Sequence, residues 1–454
     1  MLALLIAFIA YAGALIGIGL YGYTKARTSL AKNGERTINY WITALSAHAA
    51  DMSIWLFFGF PGAVYLSGAE ECWTIFGLIG GMWATWRFIA PRLRTASERS
   101  NSATLTHFLC HTAGDRNGYL TLISSCLLIF FFLFYLAVGF NGIGKILSFA
   151  FGLPLWVGVV GSALLVTTYI SLGGHLTVAL ADAFQGIFLL CMIIIVPAVT
   201  AWKLGQAGSL HTAALLNDVC ATGNISAGVI NALSWGLGYV GMPHILSKFM
   251  TIDSVKNMRK AQYVGLSFQT IALTASAAIG LLARAYFVTP PASSEHLFLQ
   301  MVLEQCTPLL AGFILCAMMA ATISTLDAQL IVCASVIAHD LMPTRWAKLQ
   351  GLLMRLSTAV IAATGVWIAL VHTSSLHEMV RYAWEGLGST FGPLVIMSLY
   401  APQRLTTISA VMGILIGGLT AALWPLCAPV LASAPLIPGF CAGLAAMYAW
   451  PLPR

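Results

Sequence analysis

Apolar runs long enough to cross a bilayer recur along this entire chain, with only short connections between them. A run of about 18 or more apolar residues can satisfy its backbone in lipid only as a helix. The fold class expected is therefore all-α and polytopic. About thirteen spans are read, near 2–22, 40–66, 72–90, 119–147, 154–172, 182–202, 225–247, 261–287, 307–337, 350–371, 377–400, 406–425 and 434–451. The alternating short segments of a β-barrel are absent from the sequence. With 59% hydrophobic and 8% charged residues, the composition exceeds what a soluble core needs and leaves no room for a soluble catalytic or nucleic-acid-binding domain. Residues 1–454 are read as one membrane domain. The first run, Met1 to Tyr21, is too long for a signal-peptide core and is read as a retained span.

The net charge of +7 does not point to nucleic acid, because the bases sit in short connections. Lys25, Arg27, Lys32 and Arg36 follow the first span; Arg92, Arg94, Arg99 and Arg116 the third; Lys248, Lys256, Arg259 and Lys260 the seventh. Arg345, Lys348 and Arg355 follow the ninth, Arg404 the eleventh, and Arg454 falls on the same side. Glu70, Glu71, Asp218, Glu295 and Glu304 mark the other side. The positive-inside rule then places the N-terminus outside and the C-terminus in the cytoplasm of a plasma (inner) membrane protein. Ten cysteines are scattered singly without metal spacing, and are read as small apolar filler.

Three spans carry polar groups that lipid does not tolerate without a reason. The second reads Ala44-Leu45-Ser46-Ala47-His48-Ala49-Ala50-Asp51-Met52-Ser53, followed by Gly59-Phe60-Pro61-Gly62. A carboxylate at a span's centre costs about 2.5–3.5 kcal/mol, so Asp51 points to a bound cation or a proton path. His48, three residues earlier, is either a proton carrier or a hydrogen-bonded packing residue. The seventh span reads Trp235-Gly236-Leu237-Gly238-Tyr239-Val240-Gly241-Met242-Pro243-His244, where glycines and a proline weaken the helix. Two interrupted helices five spans apart are the mark of an inverted-repeat transporter with its site at the midplane. Trp235 and Tyr239, one turn apart, either wall a small amphipathic ligand or are aromatic filler. The ninth span adds Ser324, Thr325 and Asp327. Sodium, a hard cation, takes hydroxyl and carbonyl oxygens. Ser324 and Thr325 either supply such oxygens, joined by carbonyls near Ala49 and Met52, or, as is frequent in membranes, satisfy their own helix carbonyls. A buried Asp327 demands a partner, and Asp182 in the sixth span is the candidate. Glu385 has Arg381 four residues before it, which reads as a helical salt bridge.

These motifs in their order resemble the sodium/solute symporter family over about residues 36–439. The matching blocks are Thr43 to Ala47 with Asp51-Met52-Ser53, Trp55 and Gly62-Ala63-Val64; Gly173-Gly174 with Asp182 and Gln185; Trp235 to Tyr239 with Pro243 to Leu246; Ser324-Thr325-Leu326 with Gln329-Leu330, Val332-Cys333 and Asp340-Leu341; and Tyr382-Ala383-Trp384 with Gly386 and Phe391-Gly392-Pro393. The resemblance implies a LeuT-like core of two inverted five-helix repeats within residues 36–400. An extra span and loop precede it in 1–35, and two extra spans follow in 401–454. It implies sodium-coupled import of L-proline or a related small amino acid. By carry-over, Ala49, Met52, Ala321, Ser324 and Thr325 hold sodium, Asp51 couples it, and Arg36 serves coupling from the cytoplasmic side. Ser53, Tyr135, Trp235, Tyr239 and Pro243 bind substrate.

Departures from the family pattern are Ile54 for a glycine, Met242 for a glutamine, His48 for a glycine and Asp327 for a serine. Ile54 and Met242 reshape the expected pocket, so another small zwitterion or carboxylate is the alternative substrate. Asp327 with Asp182 would form or strengthen a second cation site. A non-transporting sensor of the same fold is the alternative from another class; its usual fused signalling domain is not expected in this chain.

Overall fold

Lipid offers a backbone no partner but itself. Accordingly, among the described residues every regular element is a helix, and the lone β feature is an isolated bridge between Ile38 and Ile252. The structure, a computed structural model, describes residues 2–29, 38–206, 225–287, 293–342, 344–372, 375–427 and 434–449.

The chain opens with α1 (Leu2–Ser29) and then α2 (Tyr40–Met52), α3 (Gly59–Ser67), α4 (Ala69–Ala84), α5 (Ala90–Arg99) and α6 (Leu105–Thr112). Long helices follow: α7 (Tyr119–Phe151), α8 (Leu155–Ile193) and α9 (Ile195–Gln206). The next group is α10 (Ile225–Gly238), α11 (Pro243–Met250), α12 (Met258–Tyr286), α13 (Leu297–Gln305) and α14 (Pro308–Ser335). The last is α15 (Gln350–Val371), α16 (Leu376–Tyr400), α17 (Thr407–Cys427) and α18 (Leu436–Ala449). Among the described residues, seven helices are long and apolar enough to cross a membrane. Two further spans are bent pairs, at 67° between α2 and the segment Ile54–Ser67 and at 48° between Ile225–Gly241 and α11.

Two expected boundaries differ. The fifth and sixth spans are read as separate at 154–172 and 182–202; the structure holds both apolar stretches, Leu155–Thr168 and Leu176–Gln206, but joins them by helical backbone within α8 (Leu155–Ile193). A glycine costs a helix only about 1 kcal/mol relative to alanine, and packing of α8 on α1, α2, α7 and α14 outweighs the Gly173-Gly174 pair. The third span does not stop near residue 90 either. A π-helical turn, Thr85–Ile89, carries α4 into α5. The extra residue of that turn re-aims the chain, and Pro91 is tolerated in the first turn of α5. Arg94 on α5 is buried, and its Nε donates to the Ile252 carbonyl (2.8 Å), so it anchors the connection after α11.

The core is built around α14, whose most apolar window is 83% buried, whereas that of α1 is 11% buried. Small residues allow the closest helix approach. A Cβ on Gly77 would lie 1.9 Å from the Ala232 carbonyl oxygen, and one on Gly81 2.1 Å from that of Gly236. This small-xxx-small face locks α4 against α10 and fixes where the second broken span sits.

Candidate functional site at two broken helices

In an unbroken helix the Ser53 amide would donate to the carbonyl of Ala49. Here α2 ends at Met52, and Ser53 takes φ 40°, a conformation rare outside glycine. Its amide instead donates to Thr325 Oγ1 on α14 (3.1 Å). The Ala49 carbonyl oxygen so released lies 2.8 Å from Ser324 Oγ. Ser324 Oγ is also 3.0 Å from the Ala321 carbonyl oxygen, and Thr325 Oγ1 is 3.1 Å from the same atom. Four oxygens, two carbonyl and two hydroxyl, thus converge without a formal charge. Met52, the last residue of α2 and 2% exposed, presents another helix-end carbonyl at the same break. Of the expected group, Ala49, Ala321, Ser324 and Thr325 are brought together, and Met52 ends α2 at the same break.

Asp51 does not join that cradle through its side chain. Its Oδ2 accepts from Gln269 Nε2 (3.3 Å) on α12. Three residues earlier, His48 is held from three sides. Trp86 Nε1 donates to its Nε2 (3.1 Å), Tyr239 Oη lies 3.5 Å from its Nδ1, and Phe268 stacks on the ring at 6.3 Å. Of the two readings of His48, the packing and hydrogen-bonding one matches this environment.

The second break is made differently. After α10 a single 3-10 turn, Tyr239–Gly241, leads to Met242 in extended conformation and Pro243 at the first position of α11. Gly238 and Gly241 are needed for close approach. A Cβ on the first would sit 2.0 Å from Trp384 Nε1, and one on the second 2.8 Å from Gly388 Cα. Trp384 Nε1 donates to the Trp235 carbonyl (3.2 Å), tying the break to α16. The Trp235 ring lies 4.9 Å from Trp55 and 5.5 Å from Trp384, and Trp55 Nε1 donates to His377 Nδ1 (3.1 Å). Ser53, Tyr135, Trp235 and Tyr239 are each at most 4% exposed, and Pro243 is buried, so the structure is closed around them. Ile54 packs onto Gly142 of α7, where a Cβ would meet its Cγ1 at 2.6 Å.

Asp182 and Asp327 do meet. Asp182 Oδ2 accepts from Ser46 Oγ (2.8 Å) and pairs with Lys248 Nζ (2.7 Å); the Asp327 carboxyl is an electrostatic neighbour of Asp182, with no hydrogen bond joining the two. Both acids are fully buried, and neither Asp327 oxygen has a donor. Two carboxyls and one ammonium leave one acid that requires a proton or a cation, since an uncompensated buried charge costs several kcal/mol. Glu385 forms the expected pair with Arg381 (2.9 Å). Arg36 lies outside the described residues.

Sequence reasoning missed Lys248, read only as one of the orienting bases. Its place as the sixth residue of a polar-apolar half-helix was the available signal. Gln269 and His377 were also missed; each is a polar residue in an apolar helix, with nothing local to mark its partner.

Comparison with known proteins matches this geometry to a family. The profile of the sodium:solute symporter family matches residues 33–417. Sodium/proline symporters of Staphylococcus aureus strains JH9 and USA300 are each 36% identical over 427 residues, covering 90% of this chain and 83% of the relative. Among solved structures, a Na+-coupled sialic acid symporter in a substrate-bound outward-open state is similar with a TM-score of 0.80 at 16% identity, covering 98% of this chain and 97% of that one. A nucleobase-cation-symport-1 family transporter in a closed conformation gives 0.59 at 14% identity, covering 91% and 92%. At those identities the structures speak to the fold alone. The sequence match decides the rest: the chain belongs to the sodium:solute symporter family, and is a sodium-coupled solute transporter of the membrane rather than an enzyme.

Proposed function

We propose that this chain imports L-proline, or a closely related small amino acid, together with sodium by alternating access. The observation that carries the reading is the exchange at the first break, where the Ser53 amide leaves Ala49 for Thr325 and Ser324 approaches the freed carbonyl. Sodium is cargo bound by Ala49, Met52, Ala321, Ser324 and Thr325. Asp51 couples the ion to substrate through Gln269 and the closed aromatic wall. Substrate binds among Ser53, Tyr135, Trp235, Tyr239 and Pro243, between the two breaks. Arg36 is assigned a coupling role by family resemblance.

The bent pairs are the second and seventh spans of the thirteen-span sequence reading, and on that count two inverted repeats over 36–400 are proposed. An extra span in 1–35 and two in 401–454 flank them. Charge asymmetry supports an inner-membrane orientation with the N-terminus outside. Coupling is linkage: sodium and substrate each raise the other's affinity.

Asp182 and Asp327 form a second cation position, for which Lys248 Nζ competes in the closed state. Asp327→Asn is expected to change the sodium dependence or the ion-to-substrate ratio; unchanged sodium activation would remove this second site. The staphylococcal relatives support proline as substrate. Buried Met242, beside Pro243 at the second break, is the one observation that favours another zwitterion or a carboxylate. The test is uptake of radiolabelled proline into proteoliposomes with and without an inward sodium gradient, with competition by a panel of amino acids. Sodium-driven uptake is expected; gradient-independent accumulation, or none for any amino acid, refutes the proposal.

A further inference from the structure

A cavity of about 680 Å³ opens between α5, α6 and the end of α16, lined by none of the residues assigned to the two breaks. Its walls carry Arg92 and Arg99 from α5 and His111 from α6, and no carboxylate lines it. Neither arginine has an acidic partner among the described residues. Ser398, 4% exposed, also lines it, and its Oγ has no hydrogen-bond partner. Phe108 and Leu399 make part of the wall apolar. A buried hydroxyl without a partner is uncommon in a folded protein and calls for an explanation. Two guanidinium groups, each with forked donors, suit the oxygens of a phosphate.

The surroundings place the cavity at headgroup level. The Arg92 guanidinium lies 4.6 Å over the Tyr400 ring, and that of Arg404 lies 4.5 Å over Tyr448. Both tyrosines are exposed, and such aromatic and basic pairs mark a membrane–water interface. The volume is far larger than a phosphate ion needs, and the mixed apolar and cationic wall suits a glycerophosphate with the start of its chains. We propose that this cavity binds a phosphate ester, the occupant it fits best being the headgroup of an anionic phospholipid. Assigning it to the inner leaflet rests on the orientation proposed above; the recognition chemistry does not. An occupant would bridge α5 and α6 to the end of α16, elements far apart in sequence.

The test uses the full chain, purified and delipidated in detergent, with native mass spectrometry and thermal unfolding as readouts. The probes are phosphatidylglycerol, phosphatidylcholine and glycerol 1-phosphate. Phosphatidylglycerol is expected to give a discrete adduct and raise the Tm, with phosphatidylcholine far weaker. Arg92→Gln with Arg99→Gln is expected to weaken that adduct on the order of tenfold. Lys348→Gln with Arg355→Gln removes the same charge from exposed positions outside the cavity and is expected to leave the adduct intact. Glycerol 1-phosphate matching the lipid would still support the phosphate site but assign it to a soluble ester. An adduct that survives the Arg92/Arg99 change, falls equally with the Lys348/Arg355 change, or forms equally with phosphatidylcholine overturns the proposal. So does binding of neither phosphate probe. Proline uptake is measured separately, so failure here leaves the transport reading standing.

Discussion

The two broken spans reach similar shapes by opposite means. At the first, no glycine or proline stands at the break; Ser53 is bent by what Thr325 and Ser324 offer from α14. At the second, Gly238, Gly241 and Pro243 weaken the helix locally, and aromatic rings then fill the space. One break leaves oxygens facing each other, the other leaves rings facing each other. A break imposed by a polar neighbour creates free carbonyls where a cation finds ligands, whereas a break written in glycine and proline creates room and close approach. On the proposed reading the ion and the solute sit at different breaks, and His48 of α2, 3.5 Å from Tyr239 Oη, links the helix of the first break to the second.

The largest effect is expected where both breaks are tied to α8. Lys248 from beyond the second break and Ser46 from before the first meet on Asp182. Lys248→Met leaves that acid unpaired and is expected to cost about 3–5 kcal/mol of stability. Thermal unfolding checks it, and adding Asp182→Asn should recover most of the loss.

Thr325→Ala removes the acceptor of the Ser53 amide and leaves a buried donor unmade, a cost of about 1–3 kcal/mol. The sodium concentration for half-maximal uptake should rise about fivefold at the lower end of that range and more at the upper, while Thr325→Ser stays near wild type. Gly238→Ala forces Trp384 away from the Trp235 carbonyl, an overpacking cost of about 1–3 kcal/mol. This variant should raise KM for solute and spare sodium activation. If the two variants shifted the same parameter, the division between an ion break and a solute break would fail. Smallest is Trp55→Phe, which deletes the hydrogen bond to His377 at about 0.5–1.5 kcal/mol. A modest rise in KM is expected, and an effect on sodium activation as large as that of Thr325→Ala would contradict the division.

The all-helical membrane class, the polar character of the first break and the weak helix of the second could be read because each rests on local chemistry: runs of apolar residues, hydroxyls inside them, and weak helix formers at fixed spacing. Other features could not. Gly59 to Gly62 looks like the place for the first break, but these residues open α3, where a proline in the first turn forfeits only an amide that has no intrahelical acceptor. The break lies at Ser53, and only the approach of α14 puts it there.

Sequence alone determined that this chain lives in lipid as a bundle of helices and that a few polar residues within it need partners, because burial in hydrocarbon has no other solution. Which partners they take was decided in three dimensions. Lys248 looks like a loop charge until α11 folds back to Asp182; the partner of Asp51, Gln269, and the surface that Ile54 packs on, Gly142, come from helices far along the chain. In each case a long-range contact, invisible to spacing along the chain, set where the side chain points.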